Sequence, residues 1–149
     1  MARHVSRAGE RTWMRNWIFG GAGGASVSAD LGLLVLRIVA GLGMALGHGI
    51  KKLPPPDGLM RAVDSMGMPG IMAWGATVAE FGGGLLIVIG LFTRPAALLW
   101  TITMSVALIG VHRNDPFARQ ELALLYLCIG LLLLLTGPGR FAVDRLIRK

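Results

Sequence analysis

Four apolar runs between Leu31 and Thr136 constrain the fold more than any other feature of the sequence. Residues 31–50, 70–92, 95–111 and 122–136 are each long enough, allowing for frayed ends, to cross about 30 Å of hydrocarbon at about 1.5 Å per residue. The breaks between them carry stop signals. Three prolines in "KKLPPPDG" cannot continue the first helix. "FTR" before Pro95 is a tight turn, with proline at a helix start where its missing N–H costs nothing. "HRNDPFARQ" separates the third and fourth runs, and "TGPGR" ends the last. The fold class is all-α, a four-transmembrane-helix bundle.

The remaining composition fits that reading. The chain is 54% hydrophobic and still carries a formal charge of +7. Such basicity usually suggests nucleic acid, but Lys and Arg lie between the apolar runs instead of mixing with polar and aromatic residues on one surface. The expected partner is the lipid bilayer, with no nucleic acid. The only cysteine, Cys128, rules out an internal disulfide framework or a CxxC pair. In an apolar run it is expected to be a small buried core residue.

Charge counting orients the bundle. With four spans, Arg3, Arg7, Arg11, Arg15, Arg94, Arg140, Arg145, Arg148 and Lys149 share one side; Lys51, Lys52, Arg61, Arg113 and Arg119 share the other. The bias predicts both termini in the cytoplasm, in the bacterial inner membrane. Residues 1–29 are a basic segment, either flexible or an interfacial amphipathic helix through Trp13, Trp17, Ile18 and Phe19 followed by the linker "GGAGGASVS". No apolar h-region or twin-arginine pair marks a signal peptide. Residues 30–146 form the membrane domain and 147–149 a basic tail.

Glu80 is the only charge between Trp74 and Phe92. Three and four residues away lie Ala73, Ala76, Thr77, Gly83 and Gly84, a small-residue stripe that lets helices approach closely. Glu80 is therefore expected inside the bundle, where a charge is costly unless paired or protonated and is a functional candidate by default. Arg37, on a face with Ala40, Gly41, Met44 and His48, is its expected partner. The pair would act as charge clamp and proton relay, or would only fix helix register.

A second polar group is expected at the outer end, where His48, Lys51 and Lys52 close the first helix, His112 the third, and Glu121 opens the fourth. Two histidines and a carboxylate match a facial metal triad, and paired histidines match haem ligation, but nothing supplies further ligands and no metal site is assigned. Beside an apolar cleft, His48, Lys52, His112 and Glu121 would instead hydrogen-bond the carbonyls of a lipid-soluble quinone, the candidate cofactor.

The stretches "LRIVAGLGMALGHGIKKL", "AEFGGGLLIVIGLFTRPAALLW" and "ELALLYLCIGLLLLLTGPGRFAVD" resemble the DoxX family of small bacterial and archaeal membrane proteins over about residues 31–146. The matching residues are Arg37, His48, Gly49, Lys52, Glu80, Gly83, Gly84, Gly90, Thr93, Arg94, Gly137, Pro138, Gly139, Arg140 and Asp144. Gly83, Gly84, Gly90, Arg94, Gly137, Gly139 and Asp144 are expected to serve architecture. The resemblance implies a four-helix bundle with cytoplasmic termini. It also implies a link to thiosulfate:quinone oxidoreduction and oxidative stress, with a sulfurtransferase or superoxide dismutase as soluble partners. Three functions stay open: a membrane subunit of a thiol- or thiosulfate-to-quinone system, a non-enzymatic scaffold or assembly factor, and a small-solute transporter, which would need a homo-oligomer. "GAGGAS" lacks the strand-before, helix-after context of a nucleotide loop.

Overall fold

The computed structural model of the chain describes residues 26–148. Most of the basic N-terminal segment, with its expected interfacial helix and linker, lies outside the described residues, as does Lys149. All regular structure among the described residues is helical. Four stretches are long and apolar enough to cross a membrane: Val27–Lys52, Ile71–Ile89, Thr93–Val111 and Phe117–Thr136.

Helix α1 (Val27–Leu42) starts at Ser26, whose hydroxyl accepts the Ala29 N–H at 3.3 Å and so satisfies one of the open N-terminal donors. It runs on through a π-helical turn, Gly43–Gly49, and a 3-10 turn, Ile50–Lys52, before the prolines end it. Helix α2 (Asp57–Ser65) occupies a stretch that reads as a loop in the sequence. Helix α3 (Ile71–Ile89) closes on Gly90 at φ 71°, with Gly90 N–H on the Ile87 carbonyl and Leu91 N–H on that of Leu86. This is a Schellman end, and its left-handed residue favours glycine.

Helix α4 (Thr93–Val106) continues through a second π-helical turn, Ala107–Val111. Helix α5 (Phe117–Thr136) starts five residues before its apolar run, because Ala118, Arg119 and Gln120 are good helix formers and extended Pro116 precedes them. Helix α6 (Val143–Arg148) turns the tail into a short helix.

Packing follows the chain: α1 lies against α3, α3 against α4, and α4 against α5. The small-residue stripe does what its composition predicts. Ala73, Thr77, Glu80, Gly83 and Gly84 are buried, while Val35, Ile109 and Leu135 face outward as lipid-facing residues should. The α1–α3 crossing is too close for larger side chains. A Cβ on Gly41 would lie 2.8 Å from the Gly84 carbonyl oxygen, and one on Gly49 would lie 2.6 Å from Phe81 Cα.

The terminal end, where α1 begins and α5 finishes, is closed by residues 137–144. Asp30 accepts the Arg140 N–H at 2.9 Å. Fully buried Arg37 donates through Nη2 to the Phe141 carbonyl. Fully buried Asp144 accepts the N–H groups of Phe92 at 2.7 Å and Thr93 at 2.9 Å, and its own N–H donates to Gly90 O at 2.9 Å. Arg94 Nη2 donates to Leu135 O at 3.2 Å. Gly90, Arg94 and the "GPGRFAVD" tail thus form one joint with α1.

This joint corrects the expected Arg37–Glu80 pair. The antiparallel crossing sets Gly41 against Gly84 and Gly49 against Phe81, which puts Arg37 beside Gly90 and Glu80 beside the end of α1. The two charges are displaced by about ten residues, roughly 15 Å at the helical rise. Glu80 pairs with Lys52 instead.

Candidate functional site

At the far end of the bundle Lys52 Nζ donates to Glu80 Oε1 at 2.7 Å. The Lys52 side chain is 30% exposed and that of Glu80 3%. Glu80 Oε2 is buried and has no hydrogen-bond partner among the described residues. The pair stands where two cavities meet. One, of about 350 Å³, is bounded by His48, Lys52, Glu80, His112, Arg119 and Tyr126, with apolar residues such as Met44, Met104 and Ala107 between them. The other, of about 530 Å³, lies between α2, α3 and α4 and is lined almost wholly by apolar residues. Lys52, Glu80, Ala107 and His112 belong to both.

Local structure explains how these side chains are held. His48 and Met44 project from the first π-helical turn, and Ala107 begins the second, which ends at His112. Such turns widen a helix by one residue and often mark functional positions. His112 Nδ1 lies 2.9 Å from Asp115 Oδ2, so Nε2 is the ring nitrogen left for a ligand. Gln120 Nε2 donates to the carbonyls of His112 at 3.0 Å and Asp115 at 2.8 Å, which fixes the connection.

Tyr126 is held between two rings, edge-on to His48 at 6.0 Å and to Trp100 at 5.6 Å. Trp100 is anchored by Nε1 donating to the Ala79 carbonyl at 3.0 Å. Gly43 makes room for the tyrosine: a Cβ there would lie 2.7 Å from the Tyr126 hydroxyl oxygen.

The structure therefore gathers Glu80, Lys52, His48 and His112 of the expected site, and adds Tyr126 and Arg119. It leaves out Arg37, at the other end, and Glu121, which is exposed and does not line the polar cavity. Helical rotation explains this. Ala123 and Gly130 face the bundle, and Glu121 precedes Ala123 by two residues, roughly 200° around α5. The same geometry turns Cys128, five residues past Ala123, outward: it is exposed, not a core residue. Thr101 and Ser105 bond the carbonyls of Ala97 at 2.9 Å and Thr101 at 2.7 Å. No three His, Cys, Asp or Glu side chains converge as a metal site among the described residues.

Tyr126 and Trp100 escaped the sequence reading because an aromatic in an apolar run reads as packing. Gly43 in "GLGMALGHG" was the available signal for the space around Tyr126, and Gly83 for that around Trp100.

The family model described as DoxX matches residues 32–113. The chain belongs to the DoxX family. DoxX relatives include the "Putative oxidoreductase CatD" of Bacillus subtilis (strain 168), 32% identical over 82% of this chain and 91% of that one. The inner membrane protein YqjF of Escherichia coli (strain K12) is 36% identical over 80% of this chain and 95% of its own. The inner membrane protein YphA of the same organism is 34% identical over 76% and 88% respectively. No solved structure matches the chain. This DoxX protein is an integral membrane protein with four spans among its described residues and the bilayer as its surroundings.

Proposed function

We propose that the protein is the membrane component of a thiol- or thiosulfate-linked redox system that passes electrons to quinone, and that its polar cavity receives the quinone ring. The observation that carries this is the half-satisfied carboxylate: Glu80 keeps one oxygen on Lys52 and offers the other at the wall of a cavity that also holds two imidazoles. The size suits a single ring. The oxidoreductase in the name of the Bacillus relative supports the class.

Reduction of quinone to quinol takes up two electrons and two protons. Two partner thiols joined as a disulfide supply both, or two thiosulfate ions joined as tetrathionate supply the electrons. The chain's single cysteine cannot form a disulfide with itself, so the donor is a partner protein or solute. Lys52, with three N–H donors, and His48 or His112 hydrogen-bond the ring carbonyls, and Glu80 passes protons between ring and solvent. Arg37 serves the joint at the other end and takes no part.

Replacing Glu80 by Gln or His48 by Ala is expected to abolish quinone-dependent oxidation of thiol or thiosulfate in membranes holding the protein and its partners, with the amount of folded protein unchanged. Activity that instead follows protein abundance, whichever cavity residue is changed, makes the chain a scaffold.

The same reading places both termini in the cytoplasm and the cavities at the outer face, in line with the basic bias. A phosphatase fused after Lys149 is then expected to be inactive and a fluorescent protein there bright. The opposite pattern inverts the topology.

A further inference from the structure

The polar cavity has an apolar neighbour larger than itself, and the ring alone gives that neighbour no role. Its floor is α3 and α4, through small residues such as Gly75, Ala76 and Ala79 beside Leu99 and Val106. Its roof is α2. Leu59, Ala62, Val63 and Met66 line the cavity at the spacing i, i+3, i+4, i+7, while Asp57, Arg61 and Asp64 are exposed on the other side. An amphipathic helix normally buries its apolar stripe against packed side chains, with few voids larger than a water molecule. Here the stripe covers about 530 Å³ of space.

Walls this apolar hold water poorly, since a buried water needs two to four polar partners. Hydrocarbon fits them. Met66 fixes the roof: its sulfur occupies the space a Cβ on Gly110 would need, so the turn after α2 is seated in a notch of α4's π-helical extension.

We propose that the site takes an amphiphile in two parts, its ring in the polar cavity and its hydrocarbon chain in the apolar one, with the junction at Lys52, Glu80, Ala107 and His112. This rests on the reading of the polar cavity as a quinone site and adds what that reading leaves open: the ligand is chain-bearing, and it lies beneath α2. The adjacency of the two cavities carries the argument. Four residues line both, and the half-satisfied Glu80 carboxylate, 2% exposed, stands on that shared wall, where a ring would meet its chain.

The test measures binding to the full chain in phosphatidylcholine nanodiscs. The probes are a decyl-substituted benzoquinone and the same ring without a chain, and the proteins are wild type, Ala76→Leu and Ala62→Leu. The two leucines fill the apolar cavity from its floor and its roof, and thermal unfolding checks each fold. Partition of the decyl compound into the bilayer is common to all proteins, so the ratio of variant to wild type reports the cavity. Each leucine is expected to weaken the decyl quinone at least tenfold and the chainless ring less than threefold. Glu80→Gln is expected to weaken both.

Undiminished decyl binding in both folded leucine variants overturns the proposal, while loss of both probes in Glu80→Gln leaves the ring site standing. Failure of both probes to bind wild type overturns the ring reading and the proposal together. Phospholipid that co-purifies with wild type and is lost from the leucine variants, with no quinone bound, also overturns the proposal and makes the cavity an acyl-chain site.

Discussion

Asp144→Ala is expected to destabilise the protein by about 1–3 kcal/mol for each of the two backbone N–H groups it leaves unpaired. Asp144 is fully buried, satisfies the Phe92 and Thr93 N–H groups, and is the carboxylate whose charge attracts Arg37. Arg37 is itself inaccessible, and its Nε and Nη1 have no hydrogen-bond partner among the described residues. Alanine at 144 would leave two backbone donors unmet and remove the negative charge that favours that guanidinium. Adding Arg37→Met removes the stranded charge and is expected to recover part of the loss. Thermal unfolding in detergent measures both. If the single and the double variants unfold with the wild type, the joint does not hold the bundle as described.

A methyl group at Gly49 is the second large effect expected. The added Cβ would sit 2.6 Å from both N and Cα of Phe81, and backbone cannot swing aside as a side chain can. Helices α1 and α3 must separate, at a cost of about 1–3 kcal/mol or more for overpacking. The separation also lengthens the 2.7 Å contact between Lys52 and Glu80, so any binding at the proposed quinone site should fall with stability. Gly47 is the control two residues away: nothing lies within 4 Å of its added Cβ, so Gly47→Ala should be neutral or gain up to about 1 kcal/mol from helix propensity. Equal effects at the two positions would refute the close crossing as the cause.

The four spans were legible because long apolar runs have few alternative fates. Their ends were less so. Residues 118–121 are an alanine and three polar residues, all good helix formers, which hydropathy ignores and helix propensity does not. Helix α2 was legible in Leu59, Ala62, Val63 and Met66, but three prolines before it drew the reading toward loop. Burial of Glu80 followed from the small residues on its face. Its partner did not, because a carboxylate flanked by glycines says nothing about which residue of the opposite helix will lie beside it. That depends on where Gly41, Gly49 and Gly84 let the backbones touch. The π-helical turns have no periodic signature, and the placement of His48 stayed hidden with them; Gly43 alone marked the space for Tyr126.

The joint at the terminal end also bears on how the protein is made. Arg37 enters the membrane with the first helix, yet the carbonyl it binds belongs to Phe141, 104 residues downstream. Until the ribosome has delivered residues 137–144, the growing chain lacks both the Phe141 carbonyl that accepts from this guanidinium and the Asp144 carboxylate near it. Closure of the joint therefore waits on a segment made long after the helix it secures.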